Sequence, residues 1–237
     1  MTQTPSIDVR TPDESTPEQG HDGRDGELRG FVIGLIAVAV ALVAFAIVVA
    51  AWPTSSAEAI EVSGQGGEGT PLAVAGASLA RSVDGLTIEV NVPTPPAGSY
   101  EYPTADMAPP GATHPEVIPA GSGESEVFTA WAFIFNYPER CTDESCDFDD
   151  IGDTAAKGGV FQVDGRIADG ASLRLGGAVR LGQPAANGST LENPTGAEVH
   201  VAIAPHGRAH TDADLWAQLN GPLGNPTLWW VATFVSG

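Results

Sequence analysis

The alternation of apolar and polar residues predicts a series of short strands after residue 80. In Leu86–Val92, LTIEVNV, every second residue is apolar, which is the pattern of a strand with one buried face. Val127–Tyr137, VFTAWAFIFNY, is apolar almost throughout and predicts a central strand. Further strand patterns lie at residues 159–165, 171–181, 197–204 and 227–235.

The segments between these strands predict one short helix and a long loop. Thr211 and Asp214 form a capping-box pattern before an amphipathic segment that Gly221 closes. The Pro-rich residues 93–126 predict an ordered loop, because proline interrupts a strand ladder. About seven strands, many Gly/Pro turns and one short helix predict an all-β sandwich over residues 81–237.

A separate apolar run near the N-terminus predicts a transmembrane helix. Phe31–Ala51 holds no charged or strongly polar side chain over twenty-one residues. At about 1.5 Å per residue, a helix of this length crosses the roughly 30 Å hydrocarbon core of a bilayer. Trp52 follows at a position that suits an interfacial aromatic residue. Residues 31–52 are therefore predicted to bind the membrane as a single span.

The charges beside this run predict its orientation. Arg24 and Arg29 precede it, and no Lys or Arg follows until Arg81. By the positive-inside rule, the N-terminus is cytoplasmic and the C-terminal domain is extracytoplasmic. The alternative is a secretory signal peptide cleaved at the AEA of residues 57–59, which is disfavoured because the apolar run exceeds the usual length of about 7–15 residues.

Two polar segments flank the predicted span. Residues 1–30 are rich in Pro, Asp, Glu and Thr and hold few large apolar side chains, which predicts a disordered cytoplasmic tail. Residues 53–80 are again small and polar, with SGQGGEGT at their centre, and predict a flexible linker. The predicted order along the chain is therefore tail, membrane helix, linker and β-sandwich.

The charge balance excludes one class of partner. Thirty Asp and Glu residues stand against ten Lys and Arg residues, which gives a formal net charge of −20. Nucleic acid needs a basic protein surface for its phosphates, so no nucleic-acid partner is expected. A strongly acidic exterior instead supports solubility and attracts cations.

The two cysteines are predicted to form a disulfide. Cys141 and Cys146 enclose the short loop TDES, and a disulfide is the expected state in an oxidising compartment. A metal-binding pair would usually have the spacing C-x2-C and two further ligands nearby. Because the loop is small, the bond is expected to shape a local turn more than to stabilise the whole domain.

Three stretches resemble a known group of proteins. They are TAWAFIFNYPERC, GGVFQVDGRIADGASLRLGGAV and LENPTGAEVHVAIAPHGRA, within residues 127–219. They resemble secreted or anchored bacterial envelope proteins that pair an aromatic FNNPE-C strand end with a later GAEVH…HG segment. That group is similar to the chordin-type (CHRD) domain, whose late strand ends in AHIHGPA. The resemblance implies an extracytoplasmic β-sandwich and does not imply an enzyme; the matching histidines are His200 and His206.

Three of the five histidines lie close together in the sequence AEVHVAIAPHGRAH. His200 is predicted in a strand, on the face opposite Val199 and Val201, while His206 and His210 are predicted in the loop that follows. Imidazole suits zinc and copper, which need three or four converging donors, so the three histidines are candidate metal ligands. The alternative is that His200 faces solvent or a hydrogen bond in the sheet and the other two are ordinary loop residues.

A second candidate cation site is the acidic loop around the cysteines. Hard cations such as calcium bind several oxygen ligands, which clustered carboxylates supply. The spacing does not fit the EF-hand template, and a solvated acidic loop is the alternative interpretation. The acidic residues are Asp143, Glu144, Asp147, Asp149, Asp150 and Asp153.

No sequence motif indicates catalysis. The chain lacks a G-x-S-x-G elbow, an H-E-x-x-H motif and a Walker loop. The sequence therefore predicts a non-enzymatic binding or structural module of the cell envelope, accessory to a membrane complex. A copper- or zinc-binding module and an enzyme are the alternative hypotheses.

Overall fold

A computed structural model gives the structure of the chain over residues 58–64, 71–102, 116–221 and 228–236. The predicted tail, residues 1–30, and the predicted membrane helix, residues 31–52, lie outside these described ranges. So do residues 103–115 of the predicted Pro-rich loop. None of the helices within the described ranges has the length and apolar character that a membrane crossing needs.

The described residues form nine strands and one α-helix, with short 3-10 turns between them. The 3-10 turns that matter below are Pro138–Arg140 and Phe148–Asp150. The other elements in chain order are β1 (Glu58–Val62), β2 (Ala73–Ser82), β3 (Gly85–Pro93), β4 (Glu126–Phe135), β5 (Gly158–Ala168), β6 (Ser172–Arg180), β7 (Asn187–Gly188), β8 (Glu198–Arg208), α1 (Ala213–Asn220) and β9 (Trp230–Phe234).

The strands form two antiparallel sheets. One sheet has the order β1-β2-β3-β6 and the other β7-β5-β4-β8-β9. At one side the sheets meet where Ser63 N, just after β1, donates a hydrogen bond to Val231 O of β9 at 2.8 Å. At the other side β5 passes into β6 through only three residues. The all-β, sandwich-like part of the predicted fold is thereby confirmed, with nine strands described where about seven were predicted.

The main hydrophobic core lies between the two sheets. Alternate residues of β3 and β4, among them Ile88, Val90 and Phe128, are fully or almost fully buried there. Burial of such a side chain contributes about 1.5–3 kcal/mol to stability. The remaining residues of β4 do not face solvent either, because Trp131 and Phe133 join a second buried cluster on the outer face of the five-stranded sheet. The prediction that β4 is a central strand is confirmed, and the structure shows that both of its faces are covered.

The linker prediction for residues 53–80 is wrong where the structure describes this segment. β1 and most of β2 lie inside it and pair with each other and with β3. The small side chains that suggested a tether are required by close packing. A Cβ atom added at Gly76 would stand 2.7 Å from Val62 and 2.8 Å from Val92. Small residues therefore let β2 fit its neighbours, and the sheet already includes Glu58.

The end of β8 also differs from the sequence prediction. The strand continues to Arg208, so His206 lies in a strand and not in a loop. Gly207 makes this continuation feasible, because it has a φ of +76° and a Cβ atom there would stand 2.5 Å from Ile118 O. The helix that follows is capped by Asp212, whose carboxylate accepts from Asp214 N, and not by the predicted Thr211.

Candidate functional site

An open pocket of about 300 Å³ lies on the outer face of the five-stranded sheet. Two strands at the centre of that sheet, β4 and β8, and the edge strand β9 provide its floor. The disulfide loop between β4 and β5 provides one wall. The lining residues from these elements include Phe133, Phe135, Phe148, His200, Ala202 and Val231. We call this cavity the aromatic pocket.

The aromatic rings of the pocket are arranged around Phe133. Its ring centroid lies 5.7 Å from that of Phe148 and 5.9 Å from that of Trp229, at tilted angles that favour aromatic pairs. Phe133 and Trp229 are buried, but Phe148 is 55% exposed. A large apolar side chain that stands exposed beside an apolar cavity is characteristic of a binding surface.

The disulfide loop holds Phe148 in place. Cys141 and Cys146 form the predicted disulfide. Cys146 is buried in the outer-face cluster, so the loop is packed against the sheet. The buried carboxylate of Asp150 accepts hydrogen bonds from Thr142 N, Thr142 Oγ1 and Asp147 N, each at 3.0 Å. These bonds hold the pKa of Asp150 below its usual range and close the loop on itself.

The polar element of the pocket is the pair formed by Glu198 and His200. His200 Nε2 lies 2.6 Å from Glu198 Oε1. The same carboxylate oxygen accepts from Cys146 N at 3.1 Å and from Ser145 Oγ at 3.2 Å. Glu198 therefore fixes both the imidazole ring and the disulfide loop. When Nε2 donates to the carboxylate, Nδ1 of the neutral ring is an acceptor.

The chemistry of this pocket is that of binding. Its surface is apolar except for the imidazole ring and the edge of the loop at Asp147. His200 also packs edge-on against Phe135, with ring centroids 5.3 Å apart, which further fixes its orientation. Such a pocket accommodates an apolar group, and a single imidazole next to it gives the ligand one directional contact.

The structure does not bring the three predicted metal ligands together. His200 and His206 lie on the same strand, six residues apart. At about 3.3 Å per residue, this spacing separates their Cα atoms by about 20 Å, far more than a single metal ion can bridge. The histidine-rich stretch looked compact in sequence only because β8 was predicted to end before His206.

His206 belongs to a buried hydrogen-bond network. It is 3% exposed, and its Nε2 lies 2.9 Å from Thr129 Oγ1. The same hydroxyl accepts from Trp131 Nε1 at 3.0 Å. Gln218 of α1 donates to His206 O and Arg208 O and accepts from His210 N. These hydrogen bonds attach α1 to the end of β8. The role of His206 is therefore structural.

His210 lies outside the aromatic pocket, near the start of α1. One ligand atom each from His210, Asp212 and Asp214 lies within 4.8 Å of the other two. Asp212 already caps the helix through Asp214 N, and His210 Nε2 lies 3.2 Å from Glu116 O. One predicted histidine thus sits beside two carboxylates that the sequence analysis did not assign to a metal site.

The predicted acidic loop does not form one cluster of free carboxylates. Asp150 is buried and bonded within the loop, and Asp147 Oδ1 accepts from Asp149 N. Asp153 Oδ1 accepts from Ala155 N. Asp150 does lie near Cys141 and Cys146, but sulfur atoms joined in a disulfide are not metal ligands. These contacts shape the loop that carries Phe148.

Sequence reasoning missed the aromatic pocket although one signal of it was present. The signal is the run from Val127 to Tyr137, which is apolar almost throughout, so that both faces of its strand need a cover. The cover is the disulfide loop, together with Trp229. Glu198 could not have been singled out among thirty acidic residues, because its importance lies in contacts with Ser145 and Cys146, more than fifty positions away.

A groove of about 550 Å³ lies outside β3 and β6. Its central carboxylate, Asp164, already accepts hydrogen bonds from Gly165 N, Arg166 Nε and Gly176 N. The groove is lined mainly by backbone and exposed polar side chains. None of its lining residues has a buried side-chain polar atom without a hydrogen bond. It is therefore a weaker candidate than the aromatic pocket.

No protein-family model matches the chain, and comparison with curated proteins and with solved structures gives no match. The resemblance to CHRD-type envelope proteins stays a prediction from the sequence.

Proposed function

We propose that this protein is a single-pass, membrane-anchored module that displays a β-sandwich outside the membrane. In this proposal the domain binds a partner protein through the aromatic pocket and has no catalytic role. The observation that carries the proposal is the pocket itself, with Phe148 exposed at its edge and Glu198 and His200 fixed in its wall.

The shape of the pocket favours a protein side chain over a free small molecule. A small-molecule site usually encloses most of its ligand, whereas this pocket is open and its volume of about 300 Å³ lies at the lower end of such sites. Protein interfaces commonly centre on one large apolar side chain that enters a preformed pocket on the other partner. An apolar side chain of the partner, packed against Phe148 and the floor of the pocket, is the occupant that this geometry fits.

Three independent features support a location outside the membrane. The apolar run at residues 31–52 is long enough to span, and Arg24 and Arg29 lie on its N-terminal side. The Cys141–Cys146 disulfide is the state expected in an oxidising compartment. The resemblance to envelope proteins points the same way.

The binding proposal is tested by changing Phe148 in the full-length chain. Phe148→Ser removes the exposed ring without touching the main core, and Val83→Ser, at a similarly exposed apolar position in the β2–β3 turn, is the matched control. Co-purification in mild detergent should recover a stoichiometric partner with the wild type and with the Val83 variant, and lose it with the Phe148 variant. Equal recovery with both variants would reject the pocket as the binding site.

The anchor is tested separately. A reporter that is active only outside the membrane, fused after Gly237, is expected to be active, and the purified protein is expected to keep its N-terminal tail. A mature N-terminus at Ile60 would show cleavage instead of anchoring. This test can fail while the pocket proposal stands, because a released domain would still present Phe148.

A second candidate function is zinc or copper binding at His210, Asp212 and Asp214. The observation that favours it is the mutual distance of at most 4.8 Å between one ligand atom of each residue. One imidazole and two carboxylates form a donor set that zinc accepts. Calorimetric titration with zinc should give one site in the wild type, no site in His210→Ala and an unchanged site in His200→Ala. Absence of binding to the wild type would end this candidate.

A further inference from the structure

Three buried polar atoms at one end of the β-sandwich make no hydrogen bond of good geometry among the described residues. They are Thr94 Oγ1, Tyr100 OH and Glu126 Oε1, and the Tyr100 hydroxyl lies close enough to the Glu126 carboxyl group to interact with it. A buried polar atom without a partner costs about 1–3 kcal/mol. Buried polar atoms of this kind, unpaired among the described residues, are characteristic of a site that a ligand completes.

A cavity of about 340 Å³ opens at this position. It lies between the chain after β3, the turn before β4 and the β5–β6 connection, and both Thr94 and Glu126 line it. Glu126 is only 3% exposed, at the first position of β4 on the side that faces the core. Its carboxyl group interacts with the hydroxyl groups of Tyr100 and Tyr102. We call this cavity the Glu126 pocket.

Glu126 is the buried one of three acidic residues that line this pocket, the others being Glu124 and the exposed Asp169. Its neighbour Glu124 is already engaged, because Oε2 accepts from Gly121 N at 2.7 Å and Oε1 pairs with Arg208 at 3.2 Å. No hydrogen bond of this kind reaches Glu126 Oε1. Burial raises the pKa of Glu126, and the two tyrosine hydroxyls oppose this with a smaller effect.

An aromatic cluster adjoins Glu126, because the hydroxyl groups of Tyr100 and Tyr102 interact with its carboxyl group. The Tyr100 ring lies 5.0 Å from the Tyr102 ring and, edge-on, 5.0 Å from the Trp230 ring. Phe128 completes the group at 6.3 Å from Tyr100. Electron-rich ring faces attract a cation, so rings and carboxyl group favour the same kind of ligand.

We propose that the Glu126 pocket binds a primary ammonium group. An ammonium group carries N–H donors and a positive charge, and the pocket is lined by Thr94 and Glu126, whose Oγ1 and Oε1 are acceptors without a hydrogen bond of good geometry. The net charge of −20 raises the local concentration of cations near the domain. The ammonium group belongs either to a small free amine or to a lysine side chain of another protein, and both have the same recognition chemistry.

Divalent metal and water fit these observations less well. Among the described residues, the groups of acids, histidines and cysteines that could hold a metal ion do not include Glu126. A bound water could donate to Glu126, but it leaves the carboxylate charge uncompensated in a buried site. An ammonium group supplies both the hydrogen bonds and the charge.

The test uses the purified full-length chain and n-butylammonium as the probe, followed by calorimetry and ligand-detected NMR. Tetramethylammonium has the same charge without an N–H group and is the ligand control. We expect n-butylammonium to bind and tetramethylammonium to bind at least about tenfold more weakly, because it cannot donate a hydrogen bond to Thr94 Oγ1 or Glu126 Oε1. Equal binding of the two, or displacement of the amine by an equal concentration of calcium, would overturn the proposal.

Variants locate the site. Glu126→Gln should weaken n-butylammonium binding by about tenfold or more, and Tyr100→Phe should weaken it without removing a charge. Glu89→Gln, an exposed change on β3 outside the pocket, is the matched control and should bind like the wild type. Unchanged binding in folded Glu126→Gln and Tyr100→Phe would contradict the assignment. A lysine peptide that binds more tightly than n-butylammonium assigns the ligand to a protein, and a weaker one assigns it to a free amine.

Discussion

Glu198 Oε1 lies 2.6 Å from His200 Nε2 on the outer face of the five-stranded sheet. The same oxygen accepts a hydrogen bond from Cys146 N. One buried carboxylate thus joins the strand that carries the imidazole to the loop that carries Phe148. The aromatic pocket depends on this connection, because one carboxylate oxygen contacts both the imidazole ring and the backbone of the loop.

Glu198→Gln is expected to destabilise the domain by about 1–2 kcal/mol, because it removes the charge that strengthens these hydrogen bonds. The free energy of unfolding, measured in urea, checks this. Glu89→Gln is the control, since Glu89 is exposed on β3. If the two variants are equally stable, the carboxylate does not hold the loop.

The disulfide is expected to stabilise the loop more than the fold. A Cys141→Ser, Cys146→Ser double variant should still fold, with a loss of about 1–3 kcal/mol, because the closed loop is short. Mass spectrometry after alkylation without reductant should find neither thiol modified in the wild type. Two alkylated cysteines in the untreated protein, or a double variant that does not fold, would show this account of the loop to be wrong.

Thr129→Val is expected to destabilise the domain more than the small change in side-chain size suggests. Trp131 Nε1 and His206 Nε2 both use the Thr129 hydroxyl in a buried site. Loss of that hydroxyl should reduce the free energy of unfolding by about 2–4 kcal/mol, since each buried group left unpaired costs about 1–3 kcal/mol. Thr233→Val, at an exposed position on β9, should be nearly neutral. A small effect at Thr129 would indicate that water replaces the hydroxyl.

The stability of the domain should depend on the ionisation of Glu126. Burial raises the pKa of this carboxyl group in the folded state above its unfolded value of about 4.3. The contribution of the neutral Glu126 carboxyl group to the free energy of unfolding is therefore fully present below that value. It is lost as the pH rises through the raised folded pKa. Glu126→Gln cannot ionise, so its stability relative to the wild type should increase between about pH 4 and pH 7. Urea titrations of both proteins at the two pH values measure this, and a constant difference would contradict it.

Much of the fold could be predicted from the sequence because its strands have strong local patterns. The alternation in β3 and the continuous apolar run of β4 identified both strands and the burial of each face. β2 could not be recognised, because AVAGASLARS has the small residues that its neighbours require and these also suit a tether. Its strand character comes from pairing with β3, which is not visible in the segment itself.

The candidate site was less predictable than the fold. Closeness in sequence suggested that His200 and His206 act together, but an extended strand places them far apart. The residues that do meet come from distant parts of the chain, as Phe133, Phe148 and Trp229 illustrate. A pocket built from β4, a covalently closed loop and the segment before β9 has no local sequence signature.

The central claim is that the aromatic pocket is the surface through which this protein binds a partner outside the membrane. Photo-crosslinking tests it most directly, with a benzophenone amino acid placed at Phe148 in the full-length chain in its native membrane. The account predicts one specific protein adduct from position 148 and none from the same label at Val83, which is exposed but lies in the β2–β3 turn. The same adducts from both positions, or none from position 148, would contradict it.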